Sequence, residues 1–171
     1  MPALGGAGAL DAHIELTLAV LDNLCATGYP VQFWWDREPE GSGANALPIL
    51  ENLQAAAIPT RIQQGEDLGQ RMAYALGEAV SESGAGVIVG SDCPSVDADY
   101  VRRAITLLGD HDVVLGPSDD GGYVLIGARR VAPGMLDDIA WGTEAVLEQT
   151  CQRLKEKGLR FTLLEPRWDV D

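Results

Sequence analysis

Basic residues are scarce in the first part of this chain. Of the 12 lysines and arginines, only Arg37, Arg61 and Arg71 come before position 100, whereas the chain has 26 acidic residues and a net charge of −14. Nucleic-acid backbones and anionic bilayers are held mainly by clustered lysine and arginine side chains. The sequence therefore disfavours nucleic acid and an anionic membrane surface as partners.

Cysteines and long apolar runs are scarce as well. The chain has three cysteines, Cys25, Cys93 and Cys151, without CxxC spacing, which argues against a disulfide framework and a zinc knuckle. No apolar run is long enough to cross a bilayer, and Met1–Ala9 has neither the basic residue nor the apolar length of a signal peptide. We therefore expect a cytoplasmic protein with reduced thiols.

Glycine and apolar residues are plentiful by contrast. The 171 residues include 20 glycines, and 46% of the chain is apolar. A chain of this length and apolar content suits one packed domain, residues 1–171, and no internal repeat indicates a second one.

The spacing of apolar residues predicts helices and strands in alternation. The predicted helices cover residues 10–25, 47–56, 68–79, 96–108 and 143–158. The predicted strands cover residues 31–35, 59–63, 87–89, 113–115, 123–126 and 159–164. This alternation indicates βαβ units and therefore an α/β fold with a mainly parallel central sheet.

Two strands have features of their own. The all-apolar run Val87–Val89, flanked by glycines, is typical of a central strand covered on both faces. Val113–Leu115 and Tyr123–Ile126 follow each other without a helix between them, so we expect a local antiparallel or edge feature there.

Asp92 follows the predicted central strand directly, where ligands bind in open parallel sheets. Its carboxylate could hold a divalent cation. Alternatively, Asp92 only caps the loop or the helix, with Ser95 as the predicted N-cap. Both interpretations fit the sequence.

Two further acidic positions follow predicted strands. Asp119 and Asp120 are adjacent, and neighbouring carboxylates repel each other unless a cation, a proton or a hydroxyl group engages them. An ordinary Asp-Gly hairpin turn accounts for Asp120 but not for Asp119. The acidic end, Trp168–Asp171, follows the final strand, and an acidic terminus is usually only solvated.

A weaker candidate is Gly65–Arg71, a loop that runs into a helix. Glycines at a helix start let backbone N–H groups approach a phosphate. A plain helix N-terminus with acidic residues fits equally well. Cys93 has no histidine whose sequence context nominates it as a base, so a small buried thiol is the favoured interpretation.

Taken together, four ordered motifs resemble the DUF2064 glycosyltransferase-like family. They are Gln64–Met72, Gly90–Pro94, Asp112–Gly127 and Trp168–Asp171. The resemblance runs from about Gln64 to the C-terminus. That family is similar to nucleotide-diphospho-sugar transferases of the glycosyltransferase A type, and members are linked by name to arsenosugar biosynthesis.

The resemblance implies a three-layer α/β/α fold and transfer of a sugar from a nucleoside-diphosphate-sugar to a small acceptor, supported by Mg²⁺ or Mn²⁺. Nucleotidyl transfer from a nucleoside triphosphate to a phosphorylated acceptor is the alternative enzyme reaction. A non-catalytic homologue is the alternative outside enzymes. In such folds Asp92 would bind the metal, and Asp171 could complete the site.

The resemblance also implies further roles. Asp120, with Asp119, would face the acceptor as general base or orienting group. On the acceptor side it places Gly121, Gly122, Tyr123 and Trp141, and Trp141 is followed by Gly142 where a serine is common in the family. On the nucleotide side it places Gly65, Asp67, Leu68, Gly69, Arg71 and Ser91.

The sequence departs from the family pattern at both ends. Such proteins usually begin with a strand and a Lys-Thr-Arg-Leu phosphate loop, which would lie before Met1, and they continue past Asp171 as Asp-Thr-Pro-Glu-Asp-Leu. We therefore expect a form truncated at both ends. A homologue without that strand leaves a sheet edge open, which a second copy of the chain could cover.

Overall fold

A computed structural model describes residues 6–39 and 46–170 of the chain. The described residues form five helices and six strands, in an alternating order close to the predicted one. They are α1 Gly6–Cys25, β1 Phe33–Trp35, α2 Leu47–Ala55, β2 Thr60–Ile62, α3 Leu68–Ser83, β3 Gly86–Val89, α4 Ala98–Leu107, β4 Val113–Pro117, β5 Tyr123–Ala128, α5 Val146–Glu156 and β6 Phe161–Leu163. None of these helices is both long enough and apolar enough to cross a membrane.

The main sheet, as far as the chain is described, has four strands in the order β3-β5-β4-β6. β3, β4 and β6 run in one direction, because β3 and β4 are each antiparallel to β5 and β6 is parallel to β4. The expected antiparallel feature is therefore confirmed. It lies inside the sheet, where a hairpin pairs Leu115 with Ile126.

The expectation that Val87–Val89 forms a central strand is wrong for the described residues. β3 ends the sheet order, and all four of its residues are only half-buried, whereas every residue of β4 is buried. The run is apolar because helices cover both faces of β3, and not because β3 has a strand on each side. Whether a second copy of the chain covers this edge stays a prediction.

Helices cover both faces of the main sheet. Val113 and Leu115 of β4 pack with Leu76 of α3 and Leu154 of α5. Val114, which points to the other face, packs with α4. Because successive strand side chains point to opposite faces, this alternation produces the predicted three layers.

β1 and β2 form a separate parallel pair, with Phe33 opposite Thr60. On one side Phe33 packs against the cluster of α1 and α2. On the other side Trp34 makes an edge contact with Tyr74 of α3, at 6.1 Å between ring centroids. Arg61 of β2 forms an ion pair with Glu82 of the same helix, at 2.5 Å. The helices thus connect this small sheet to the rest of the domain.

The start of α4 differs from the expectation. Asp97, not Ser95, is the N-cap: its carboxylate accepts a hydrogen bond from the Tyr100 N–H at 2.8 Å. The Ser95 hydroxyl instead donates to the carbonyl of Trp168. Ser95 is thus available to join the loop after β3 to the end of the chain.

Candidate functional site

The candidate site lies at one edge of the main sheet. β3, β4 and β6 end at this edge and β5 begins there, because the first three run in parallel and β5 returns from β4 by a hairpin. The motif-bearing loops after these strands therefore meet in the region where open α/β sheets bind ligands.

Asp92 lies on the loop after β3 and is half-buried. Its carboxylate accepts a hydrogen bond from the Cys93 thiol, at 3.3 Å between Oδ1 and Sγ. Gly90 leaves room for this side chain, since a Cβ there would lie 2.6 Å from Asp92 Oδ1 and the carboxylate would have to shift. Because Asp97 caps α4, the helix-capping interpretation of Asp92 does not hold, and its carboxylate remains a candidate ligand. Ser91, half-buried, precedes it.

The Cys93 thiol is buried next to negatively charged side chains. The thiol is buried, and burial first, then the negative charges of Asp92 and Asp169, raise its pKa above the usual thiol value. Cys93 is thus a protonated thiol rather than a nucleophile, as expected from the sequence. The chain beside Asp169 lies against the Asp92 loop, since the N–H of the next residue, Val170, donates to Asp92 O.

Asp169 is a residue that the sequence patterns did not single out. The motif contains two aspartates two positions apart, and the resemblance nominated Asp171, which lies outside the described residues. Residues two apart in extended chain share a side, so their spacing alone cannot tell which one approaches Asp92. The backbone fixes the local register, because Val170 N–H donates to Asp92 O at 3.2 Å.

Asp120 is part of the tight turn between β4 and β5. Its carboxylate accepts hydrogen bonds from the Ser118 hydroxyl and from Gly122 N–H, the latter at 3.0 Å. The bond from Ser118 and then that from Gly122 lower the pKa of Asp120 below the usual carboxyl value. Asp120 and Asp119 are both exposed. Asp120 therefore stabilises the hairpin turn, and its carboxylate is still accessible to a ligand.

Gly121 docks this turn on the start of α5. Its φ is +91°, and a Cβ would lie 2.8 Å from Glu144 Cα. Its carbonyl accepts a hydrogen bond from Leu147 N–H at 2.9 Å. At Gly122 a Cβ would come within 3.1 Å of Ser118 Oγ. The glycines thus have close-packing roles as well as any role toward an acceptor.

Trp141 connects two of the motifs. Its ring makes an edge contact with Tyr123, at 6.3 Å between centroids, and lies 3.0 Å from where a Cβ of Gly69 would be. The Tyr123 hydroxyl points inward: it is buried next to Thr150, and burial raises its pKa. Tyr123 can therefore offer an acceptor only its ring.

The loop before α3 is held by its own polar groups. Asp67 is the N-cap and accepts a hydrogen bond from Gln70 N–H at 2.8 Å. Arg71 Nε donates to the carbonyl of Gly65, which has a φ of +139°, at 3.2 Å. Leu68 is 49% exposed. The helix-start interpretation describes the local contacts, and the nucleotide role of Gly65, Asp67, Leu68, Gly69 and Arg71 stays a prediction.

The edge as a whole is acidic. Asp92 contacts the Cys93 thiol, Asp169 is next to Val170, which bonds to the Asp92 backbone, and Asp119 and Asp120 are on the β4–β5 turn. Across residues 6–39 and 46–170, no group of three or more His, Cys, Asp or Glu side chains is placed to hold a metal ion. A cation bound here would therefore have to share its coordination sphere with water or a ligand.

Comparison with known proteins agrees with this architecture. A crystal structure of a candidate nucleotide-diphospho-sugar transferase from Desulfovibrio desulfuricans G20 has the same fold, with a TM-score of 0.79 and 26% sequence identity. The similarity covers 94% of this chain and 69% of that one. It confirms the predicted fold class. No curated protein matches the chain.

A family profile described as "uncharacterized protein conserved in bacteria (DUF2064)" matches residues 24–143, well over half of the chain. The match includes the Gly65–Arg71 loop, the Asp92 loop, the Asp119–Asp120 turn and Trp141. The chain belongs to the DUF2064 family.

Proposed function

We propose that this protein is a metal-dependent transferase that takes a sugar from a nucleoside-diphosphate-sugar and passes it to a small acceptor. The observation that carries the proposal is the position of Asp92: it follows β3 at the edge where open α/β sheets bind ligands, and Asp169 is next to Val170, whose N–H donates to Asp92 O. The similarity to a candidate nucleotide-diphospho-sugar transferase supports the donor class.

The residues at this edge fit Mg²⁺ or Mn²⁺. Mg²⁺ is commonly bound by one or two carboxylates, with water and substrate phosphates as the other ligands. Asp92 is the first candidate ligand, and Asp169 joins Asp171 as a candidate for the second. A bound cation would neutralise charge that develops on the departing diphosphate, which this acidic edge cannot do alone.

The turn at Asp120 is suited to the acceptor. Its lowered pKa keeps the carboxylate ionised at neutral pH, so Asp120 can accept a hydrogen bond from an acceptor hydroxyl and orient it. Because such a carboxylate is a weak base, it takes the proton only as the new bond to the sugar forms. Asp119 is exposed next to it. We assign the Leu68 and Arg71 side to the nucleotide.

The reaction is tested by its products. The protein is incubated with Mn²⁺, a pool of small alcohols and sugars, and UDP-glucose, GDP-mannose or ADP-glucose in turn; parallel samples contain nucleoside triphosphates and sugar phosphates. Release of nucleoside diphosphate from a nucleotide-sugar supports the proposal. Release of pyrophosphate from triphosphates alone would identify a nucleotidyltransferase, and no product in any sample would favour a non-catalytic homologue.

The pH dependence of the reaction tests the role of Asp120. Since its folded-state pKa is lowered, the carboxylate is ionised at every pH above the usual carboxyl range, and it protonates only below that range. We expect Asp120→Asn to lower kcat by roughly 100-fold, with no acidic limb attributable to Asp120 between about pH 5 and 8. An acidic limb near pH 6 that disappears in Asp120→Asn would contradict this assignment. Asp110→Asn, on the exposed turn after α4, is the control.

A further inference from the structure

We propose that Arg167 is a positioning residue for the candidate site, an inference that rests on the proposed function. Arg167 fixes the C-terminal segment, residues 164–170, against α4, and this segment in turn holds the backbone of the Asp92 loop. The argument depends on the contacts along that segment.

The first part of the C-terminal segment is attached to β4. Leu164 N–H donates to Leu115 O and Arg167 N–H donates to Pro117 O, both at 2.9 Å. Arg167 also forms a parallel bridge with Ser118. The segment thus continues β6 alongside the end of β4 and brings Arg167 next to the Ser118–Asp120 turn.

Tyr100 of α4 is the anchor on the other side. It is 1% exposed, and its hydroxyl donates to Glu165 O at 2.7 Å. Gly116 of β4 leaves the space for it, since a Cβ there would lie 2.6 Å from the Tyr100 hydroxyl. The Arg167 guanidinium lies over the Tyr100 ring, 4.7 Å from its centroid.

Two carboxylates complete the surroundings of the guanidinium. Arg167 Nη2 lies 3.3 Å from the Asp97 carboxylate and 3.7 Å from that of Glu165. Asp97 is also the N-cap of α4. A guanidinium can stack on a ring and pair with carboxylates at once, because its charge is spread over a plane. Lysine would keep the charge and lose the planar contact.

The far end of the C-terminal segment reaches the Asp92 loop. The Trp168 carbonyl accepts a hydrogen bond from the Ser95 hydroxyl, and Val170 N–H donates to Asp92 O at 3.2 Å. Asp169 lies between Trp168 and Val170, and its negative charge helps to raise the pKa of Cys93. A shift of this segment therefore moves both the loop of Asp92 and the second acidic group.

Arg167 is suited to positioning more than to overall stability. Its side chain is 30% exposed, and partly exposed ion pairs contribute little to folding free energy. We therefore expect its loss to loosen the C-terminal segment while the fold persists.

The test compares Arg167→Ala, Arg167→Lys and Arg153→Ala. Arg153 is a matched control, because its side chain is 27% exposed and also pairs with two carboxylates, on α5 and the loop before it. Iodoacetamide labelling is followed by peptide mass spectrometry, which reads each cysteine separately. Cys25 is exposed and serves as the internal reference, whereas Cys93 is buried.

We expect Cys93 to be alkylated about tenfold faster in Arg167→Ala, with Cys25 unchanged and Arg167→Lys between this variant and the parent. Mn²⁺-supported affinity for the nucleotide-sugar that the parent binds should fall roughly tenfold in Arg167→Ala, because displaced ligand groups lose alignment. Arg153→Ala should match the parent in both measurements.

The two proposals fail in different ways. Parental Cys93 labelling in Arg167→Ala, equal acceleration in Arg153→Ala, or parental Mn²⁺-supported affinity in Arg167→Ala would overturn the role of Arg167. Accelerated labelling in Arg167→Ala, combined with no Mn²⁺-supported binding of any nucleotide-sugar by the parent, would leave Arg167 as the residue that holds this loop and would overturn the metal-dependent function.

Discussion

Replacing Asp92 with asparagine is expected to remove metal-supported binding of a nucleoside-diphosphate-sugar. Affinity should fall by roughly 100-fold or more, since even residues that only orient metal ligands cost 10–100-fold when they are changed. Asparagine keeps the shape of the side chain and an oxygen that can accept from the Cys93 thiol, and removes the charge that a cation needs. Isothermal titration calorimetry with Mn²⁺ measures the loss.

Asp99→Asn is the control for this variant. Asp99 lies in the first turn of α4, close in sequence to Asp92, but its side chain is 88% exposed and pairs only with Arg102 among the ion pairs described. It should bind as the parent does. If Asp92→Asn keeps the parental affinity and still requires Mn²⁺, the cation must be bound by other residues.

Replacing Gly121 with alanine is expected to have the largest effect on stability. The residue combines a φ of +91° with a site where a Cβ would lie 2.8 Å from Glu144 Cα and closer still to the Glu144 carbonyl oxygen. Left-handed backbone and overpacking add, so the free energy of unfolding should fall by roughly 3 kcal/mol or more. For a chain of this size the loss corresponds to a Tm decrease of about 6–12 °C, measurable by circular dichroism.

Gly142→Ala separates the two causes. Gly142 also has a positive φ, +76°, but nothing lies within 4 Å of where its Cβ would be. This variant should lose only about 1 kcal/mol, from backbone strain alone. Equal losses at the two positions would show that the contact between the β4–β5 turn and Glu144 contributes nothing to stability.

Local patterns were enough to predict most of the fold. The apolar spacing of Leu68 to Ala79 and the β-branched run of β3 depend on neighbours in sequence, and both produced the elements that they indicate. The antiparallel hairpin followed from two strands with no helix between them. Once the strands were placed, the rule that ligands bind beyond their carboxyl ends brought Asp92 and Asp120 to one edge.

Contacts between residues distant in sequence could not be predicted in the same way. The all-apolar run of β3 shows that both of its faces are covered, and it does not show how many strands lie beside it. Likewise, the sequence pattern does not show that the backbone around Asp169 lies against the Asp92 loop. That approach depends on the hydrogen bond from Val170 to Asp92.

Glycine was abundant in the sequence, and its local meaning became clear only with the contacts. Gly90 lets Asp92 fold back toward Cys93, Gly116 leaves space for Tyr100, and Gly121 lets the turn meet α5. At each of these positions the absence of a side chain lets two groups pack closely, and sequence spacing cannot show which groups meet. The loops of the candidate site are therefore brought together largely by close packing at glycine positions.

The central claim is that this acidic edge binds a nucleotide-sugar through a divalent cation. The most direct measurement is calorimetric titration of the parent protein with UDP-glucose, GDP-mannose, ADP-glucose and the nucleoside triphosphates, first with Mn²⁺ and then with EDTA in excess over the metal. The account predicts saturable binding of at least one nucleotide-sugar with Mn²⁺ and none with EDTA. Binding that is equally tight in EDTA, or binding of nucleoside triphosphates alone, would contradict it.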